Sequence, residues 1–205
     1  MMNSLDHIPP TIKTGDEPMT FHDESLNFKL LDFWRWSVSN ILSNATRGRL
    51  AEFIVATATK IDIKQVRDEW GPYDLLTPDG IKLEIKSAAY LQSWQQSIFS
   101  TISFSTKLAR HWDYLTNKRA DRPQRHADVY VFCLLKHEDK QTVNPLNLNH
   151  WDFYVLATHE LNNYTRSQHS ITLKSLQNLT SAIMYNEIDD NIKLKNQLNV
   201  KLENE

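Results

Sequence analysis

The sequence predicts an α+β or mixed α/β domain, with a central mixed sheet flanked by helices. Three observations carry this: apolar residues at helical spacing in the first third of the chain, a hairpin around Thr77-Pro78-Asp79-Gly80, and the continuous apolar run Val129–Leu135. With 205 residues, 40% of them hydrophobic, the chain can bury the core of one main domain.

The elements follow in order. Leu30, Leu31, Trp34, Val38, Ile41 and Leu42 predict an amphipathic helix over 26–43, and the capping residues Asn44 and Thr46 introduce a second over 46–60. Segments 73–76 and 81–87 flank the turn, where Pro78 presets φ, Asp79 can bond its own backbone and Gly80 accepts positive φ. Alternation from Ile98 to Phe104 predicts a third strand, and Leu108, Trp112 and Leu115 predict a helix over 106–118. Val129–Leu135 is short enough for a strand buried on both faces. A strand at 153–156 and a helical segment marked by Leu173, Leu176 and Leu179 close the domain. The predicted core is therefore αβββαβ, with an extra N-terminal helix and C-terminal additions. Residues 1–25 read as a poorly ordered acidic lead-in, 26–185 as a single domain, and 186–205 as a polar tail or short helix.

Composition excludes several classes. A single Cys, Cys133, supports neither a disulfide framework nor a thiolate zinc site, and its apolar strand makes it a buried thiol. Eight His show no metal-binding spacing, and four Gly are too few for phosphate-cradling loops. No apolar run reaches membrane-spanning length and no signal peptide is present, so a soluble cytoplasmic protein is expected. The net charge of −2 hides an asymmetry: the ends are acidic, while residues 26–185 hold 19 basic and 15 acidic residues. Lys107, Arg110, Lys118, Arg119, Arg122 and Arg125 lie within residues 105–126, against Asp113 and Asp121. Such a cluster can meet phosphates, and it also suits a solvated helix and loop.

The hairpin is where chemistry concentrates. In Ile81-Lys82-Leu83-Glu84-Ile85-Lys86 the apolar residues face one way, leaving Glu84 and Lys86 as neighbours on the other face. Asp74, on the partner strand, is placed to lie close across the hairpin. Two carboxylate donors suit Mg²⁺ or Mn²⁺, and an adjacent Lys can orient or deprotonate water. An ordinary hairpin with a salt-bridged polar face has the same pattern. Glu52 is the single charge in 50-LAEFIVATAT-59, and there a carboxylate needs a cation: Arg49 or a metal.

Acid-bearing helix, Asp74, turn and Glu84-Ile85-Lys86 together resemble the PD-(D/E)XK nuclease superfamily, with its restriction-endonuclease-like fold. The resemblance spans about residues 46–135, with 152–158 as an added strand. Tyr73-Asp74 stands in place of the Pro-Asp pair. The literal Pro78-Asp79 lies in the turn, too near Glu84 to cross a hairpin. The resemblance implies that Asp74, Glu84 and the Ile85 carbonyl bind metal, that Lys86 serves the attacking water, and that Glu52 assists through metal. It implies a Mg²⁺-dependent endonuclease acting on DNA, in a restriction, defence or mobile-element setting, with the basic segment holding phosphates. RNA is the other possible substrate, and a homodimer or protein partner is a further expectation. The alternative is a catalytically inactive module of the same fold that binds nucleic acid or a protein.

Overall fold

The computed structural model describes residue 5, residues 7–113 and residues 115–203. Strands β1 (Pro18–Phe21) and β2 (Glu24–Lys29) form a hairpin closed by His22 (φ 50°) and Asp23 (φ 63°). Two consecutive positive φ angles give the turn hand that matches strand twist. Helix α1 (Leu30–Val38) is consequently shorter than the predicted 26–43, and β1 occupies part of the expected lead-in. Helix α2 (Asn44–Ala58) agrees with the prediction of 46–60 within two residues at each end, and Ser43 caps it by accepting the Thr46 N–H at 3.4 Å.

A four-stranded mixed sheet follows: β3 (Leu75–Leu76), β4 (Lys82–Ala89), β8 (Val129–Leu135) and β9 (Trp151–Ala157), in that spatial order. Strand β3 is antiparallel to β4, β4 is parallel to β8, and β8 is antiparallel to β9. The turn between β3 and β4 forms as read, with Gly80 at φ 79° and its N–H donating to the Thr77 carbonyl at 2.9 Å. Both sheet faces are covered, which is why β8 is apolar throughout. On one face Leu83, Ile85, Val131 and Cys133 pack with Ala51, Ile54 and Val55 of α2. On the other, Tyr130, Phe132 and Tyr154 pack with Phe104, Ile171 and Leu176. These last three come from β5 (Ser103–Ser105), β10 (Ser170–Thr172) and helix α4 (Leu173–Gln177). Helix α3 (Thr158–Asn162) follows β9 directly.

Two expectations fail between β4 and β8. The predicted third strand shrinks to β5, which pairs with β10 outside the four-stranded sheet. The alternation is real at Ile102 and Phe104, which are buried, but Ile98 and Phe99 are exposed. There Gln92 and Gln96 hold the chain in turns: Gln96 Oε1 accepts the Gln92 N–H at 2.6 Å and Gln96 Nε2 donates to the Tyr90 carbonyl at 3.1 Å. The predicted helix over 106–118 is instead a small hairpin, β6 (Trp112–Asp113) and β7 (Lys118–Arg119). Leu108, Trp112 and Leu115 are all exposed, so no core rewards a helix. Asp113 Oδ1 accepts the Leu115 N–H at 2.9 Å, and Asn117 takes a positive φ of 54°, both turn-forming. The chain is therefore mixed α and β around a mixed sheet, but the αβββαβ order is not reproduced.

Residues 188–203, expected as a polar tail or short helix, form the long helix α5 (Ile188–Glu203). Its Ile188 and Ile192 are fully buried in the core beside α2 and β9. Among the described residues no helix is long and apolar enough to cross a membrane.

Candidate active site

Strand β3 is only two residues long, so β4 runs on past its edge partner. Asp74 makes up the difference: its N–H donates to the Leu83 carbonyl at 3.0 Å and its Oδ2 accepts the Ile85 N–H at 2.7 Å. That side-chain bond fixes the Asp74 carboxylate at the sheet edge, one residue from Glu84. Glu84 and Lys86 project from the opposite face to Leu83 and Ile85, as the alternation predicts, and they form an ion pair. Both are half-buried.

The electrostatics follow from crowding. Burial pushes the Glu84 carboxyl above its ordinary value; Lys86 pulls it down and Asp74 pushes it up again. Tyr130 is 3% exposed and lies opposite Glu84 in the parallel register; burial and the Glu84 charge raise its phenol. Burial likewise raises the Cys133 thiol, so that residue is no nucleophile.

Glu52 approaches from α2. Burial raises its carboxyl and the negative Asp74 adds to the effect. Its partner is Arg67 rather than the expected Arg49: Arg67 Nε lies 2.8 Å from Glu52 Oε2, whereas Arg49 sits 3.6 Å from Glu69. The Arg67 guanidinium pairs with the buried Glu52 Oε2 and pulls the carboxyl back down against burial and Asp74. Asp74 is the wall between two hollows. One, of about 360 Å³, is lined by Glu52, Phe53, Arg67 and Leu76. The other, of about 320 Å³, is lined by Glu84, Arg110, His111, Trp112, His126 and Trp70. The structure thus brings Asp74 and Glu84 into one cleft and Asp74 and Glu52 into another. Among the described residues no three His, Cys, Asp or Glu side chains are gathered so as to hold a metal ion. The hard oxygen donors on Asp74, Glu84 and Glu52 suit a divalent cation better than a soft metal.

Of the basic segment, Arg110 reaches this cleft, and Lys107, Lys118, Arg119 and Arg122 are exposed on the surface around it in sequence. Arg125 is different. Its guanidinium donates to Asn162 Oδ1 at 2.6 Å, Gln168 Oε1 at 3.0 Å and the Thr106 carbonyl at 2.8 Å. It pins the segment to the residues after β9 and is not open to phosphate. Arg67, Trp70, Trp112, His111 and His126 belong to the two hollows without having been singled out for them. No sequence signal joins Trp70 to Trp112 or the two His, since neither spacing is a motif.

The profile of the bacteriophage T4 endonuclease IV family matches residues 31–175, well over half of the chain. The chain belongs to the bacteriophage T4 endonuclease IV family. No curated protein matches it. The span shared with the endonuclease IV family runs from α1 into α4 and contains Glu52, Asp74, Glu84, Ile85, Lys86 and the whole of 105–126. Helix α5 lies outside it. Membership supports a nuclease function.

Proposed function

We propose that the chain is a metal-dependent endonuclease that hydrolyses DNA phosphodiester bonds in the cleft between the β3–β4 hairpin and residues 109–112. The observation that carries this reading is the convergence of Asp74, Glu84 and Arg110 on one cleft within the span matched to an endonuclease family. Asp74, Glu84 and the Ile85 carbonyl would hold Mg²⁺ or Mn²⁺, with water completing the shell. When bound, the ion supplies Lewis-acid polarisation of the phosphoryl oxygen and offsets charge on the leaving oxygen. The protein does the rest. Asp74 is held in place by the Ile85 N–H, Arg110 holds the phosphate, and the Lys86 ammonium, beside Glu84, orients the attacking water by donating to it. Glu52, across Asp74, adds negative potential that favours a cation.

This reading places the chain with the PD-(D/E)XK nucleases by its Asp74 and Glu84-Ile85-Lys86 pattern, on a sheet that departs from that fold after β4. A restriction, defence or mobile-element role in the cytoplasm remains part of the proposal. The second reading, a binding module without activity, is favoured by the direct Lys86–Glu84 ion pair. Plasmid DNA incubated with the protein and Mg²⁺, against an EDTA control, separates the two. Nicking with Mg²⁺ alone supports the enzyme; undegraded but retarded plasmid supports the module.

A further inference from the structure

The cleft that holds Asp74 and Glu84 has an aromatic wall that phosphodiester chemistry does not use. Trp70 is 63% exposed and Trp112 39%, yet their rings meet edge to face with centroids 5.6 Å apart and planes at 72°. Both rings stand outside the buried core clusters, on loop-held segments. The Trp112 indole N–H donates to Asn117 Oδ1 at 3.2 Å, inside the β6–β7 turn, and the Trp70 backbone N–H donates to Asp68 Oδ1 at 2.9 Å. Beside them lie the exposed Arg110 and the imidazoles of His111 and His126, themselves edge to face at 5.9 Å. The nearby acids are occupied. Glu69 lines the same cleft but pairs with Arg49, and the Asp113 carboxylate is spent on Leu115 and Thr116.

We propose that Trp70 and Trp112 form a stacking platform that seats one unstacked nucleobase of the strand being cut, with Arg110 on the adjoining phosphate. The proposal rests on the nuclease reading and deepens it. Pre-oriented indole surface held open to water is costly unless a flat partner covers it, and nucleobases are flat, polar-edged and tethered to phosphate. The rings, the Arg110 cation and the carboxylates that line one cleft match a base, its phosphate and a scissile linkage. An apolar peptide would find the Arg110 guanidinium among its contacts with nothing to neutralise it. Because every base has a π face, the platform is tolerant of sequence.

The test is binding in EDTA, where cleavage plays no part, followed by tryptophan fluorescence. The probes are a short oligodeoxynucleotide and the same strand carrying abasic residues throughout. Intact DNA is expected to quench the emission and to bind wild type about tenfold or more tightly than the abasic strand. Trp112→Ala and Trp70→Ala should each lose most of that difference while keeping the residual phosphate-driven affinity, and Trp112→Phe should retain part of it. If Trp112→Ala fails to fold, the wild-type comparison of the two probes still decides. Equal affinity and equal quenching for both probes overturn the platform, even if the protein cleaves DNA. Base-dependent binding by a protein that never cleaves overturns the nuclease reading and leaves the platform standing.

Discussion

Asp74 is the residue on which the site turns, because it completes the edge of β4 through the Ile85 N–H and also walls both hollows. Its neighbours make distinct predictions. Lys86→Ala should lower cleavage by about a hundredfold or more, the range of a lost group that positions the attacking water, with DNA affinity nearly unchanged; cleavage and filter binding on one preparation measure both. Glu52 gives a pH signature. Its carboxyl is raised above the ordinary 4.5, so the folded state holds its proton more readily than the unfolded chain does. The resulting stability is present below pH 4.5 and is lost as pH rises through the higher folded value. Glu52→Gln removes that loss. Thermal melts in EDTA should therefore show the variant melting higher than wild type at pH 7 and level with it near pH 4, where Glu52 is protonated in both states. A variant that melts lower at neutral pH would mean that the Arg67 ion pair outweighs burial and the Asp74 charge.

At the scale of elements, the segment between β4 and β8 separates what the sequence reveals from what it hides. Strands β4, β8 and β9, the Thr77–Gly80 turn and helix α2 are legible because burial enforces their periodicity: Leu83 and all of β8 have almost no exposed surface. The hairpin alternation likewise put Glu84 and Lys86 on one face, where they stand. Residues 91–119 obey other rules. Their backbone is held by Gln96 and Asp113 side chains and turned at Asn117 by its positive φ, and Leu108, Trp112 and Leu115 sit at the surface, so helical spacing there reports nothing about a helix. Arg125 shows the same limit for a single charge, since only the fold reveals its bonds to Thr106, Asn162 and Gln168. The prediction for this element follows from which cations remain open. Arg110, Arg119 and Arg122 replaced together by Ala should reduce the salt slope of log K on duplex DNA by about 0.9 per lost phosphate contact. An unchanged slope would place the DNA path elsewhere. Arg125→Ala should instead lower the melting temperature.

Across the whole molecule, helix α5 and the metal act on stability from opposite directions. Ile188 and Ile192 are fully buried although α5 lies outside the span matched to the family. Ile192→Ala should cost about 2–5 kcal/mol by urea unfolding, as large-to-small core changes do, which makes α5 part of the cooperative fold. A cation bound between Asp74 and Glu84 should raise stability by mass action, about 2.7 kcal/mol at a hundredfold excess over Kd. Glu84→Gln should abolish that gain without unfolding the protein, because it removes a carboxylate that burial already disfavours. The central claim, that Asp74 and Glu84 form a metal-dependent phosphodiesterase centre, is tested most directly by plasmid cleavage with Mg²⁺ by wild type and Glu84→Gln at matched DNA occupancy. The account predicts nicking by wild type, abolished by EDTA and reduced by several orders of magnitude in the variant. Cleavage by Glu84→Gln at the wild-type rate would contradict it.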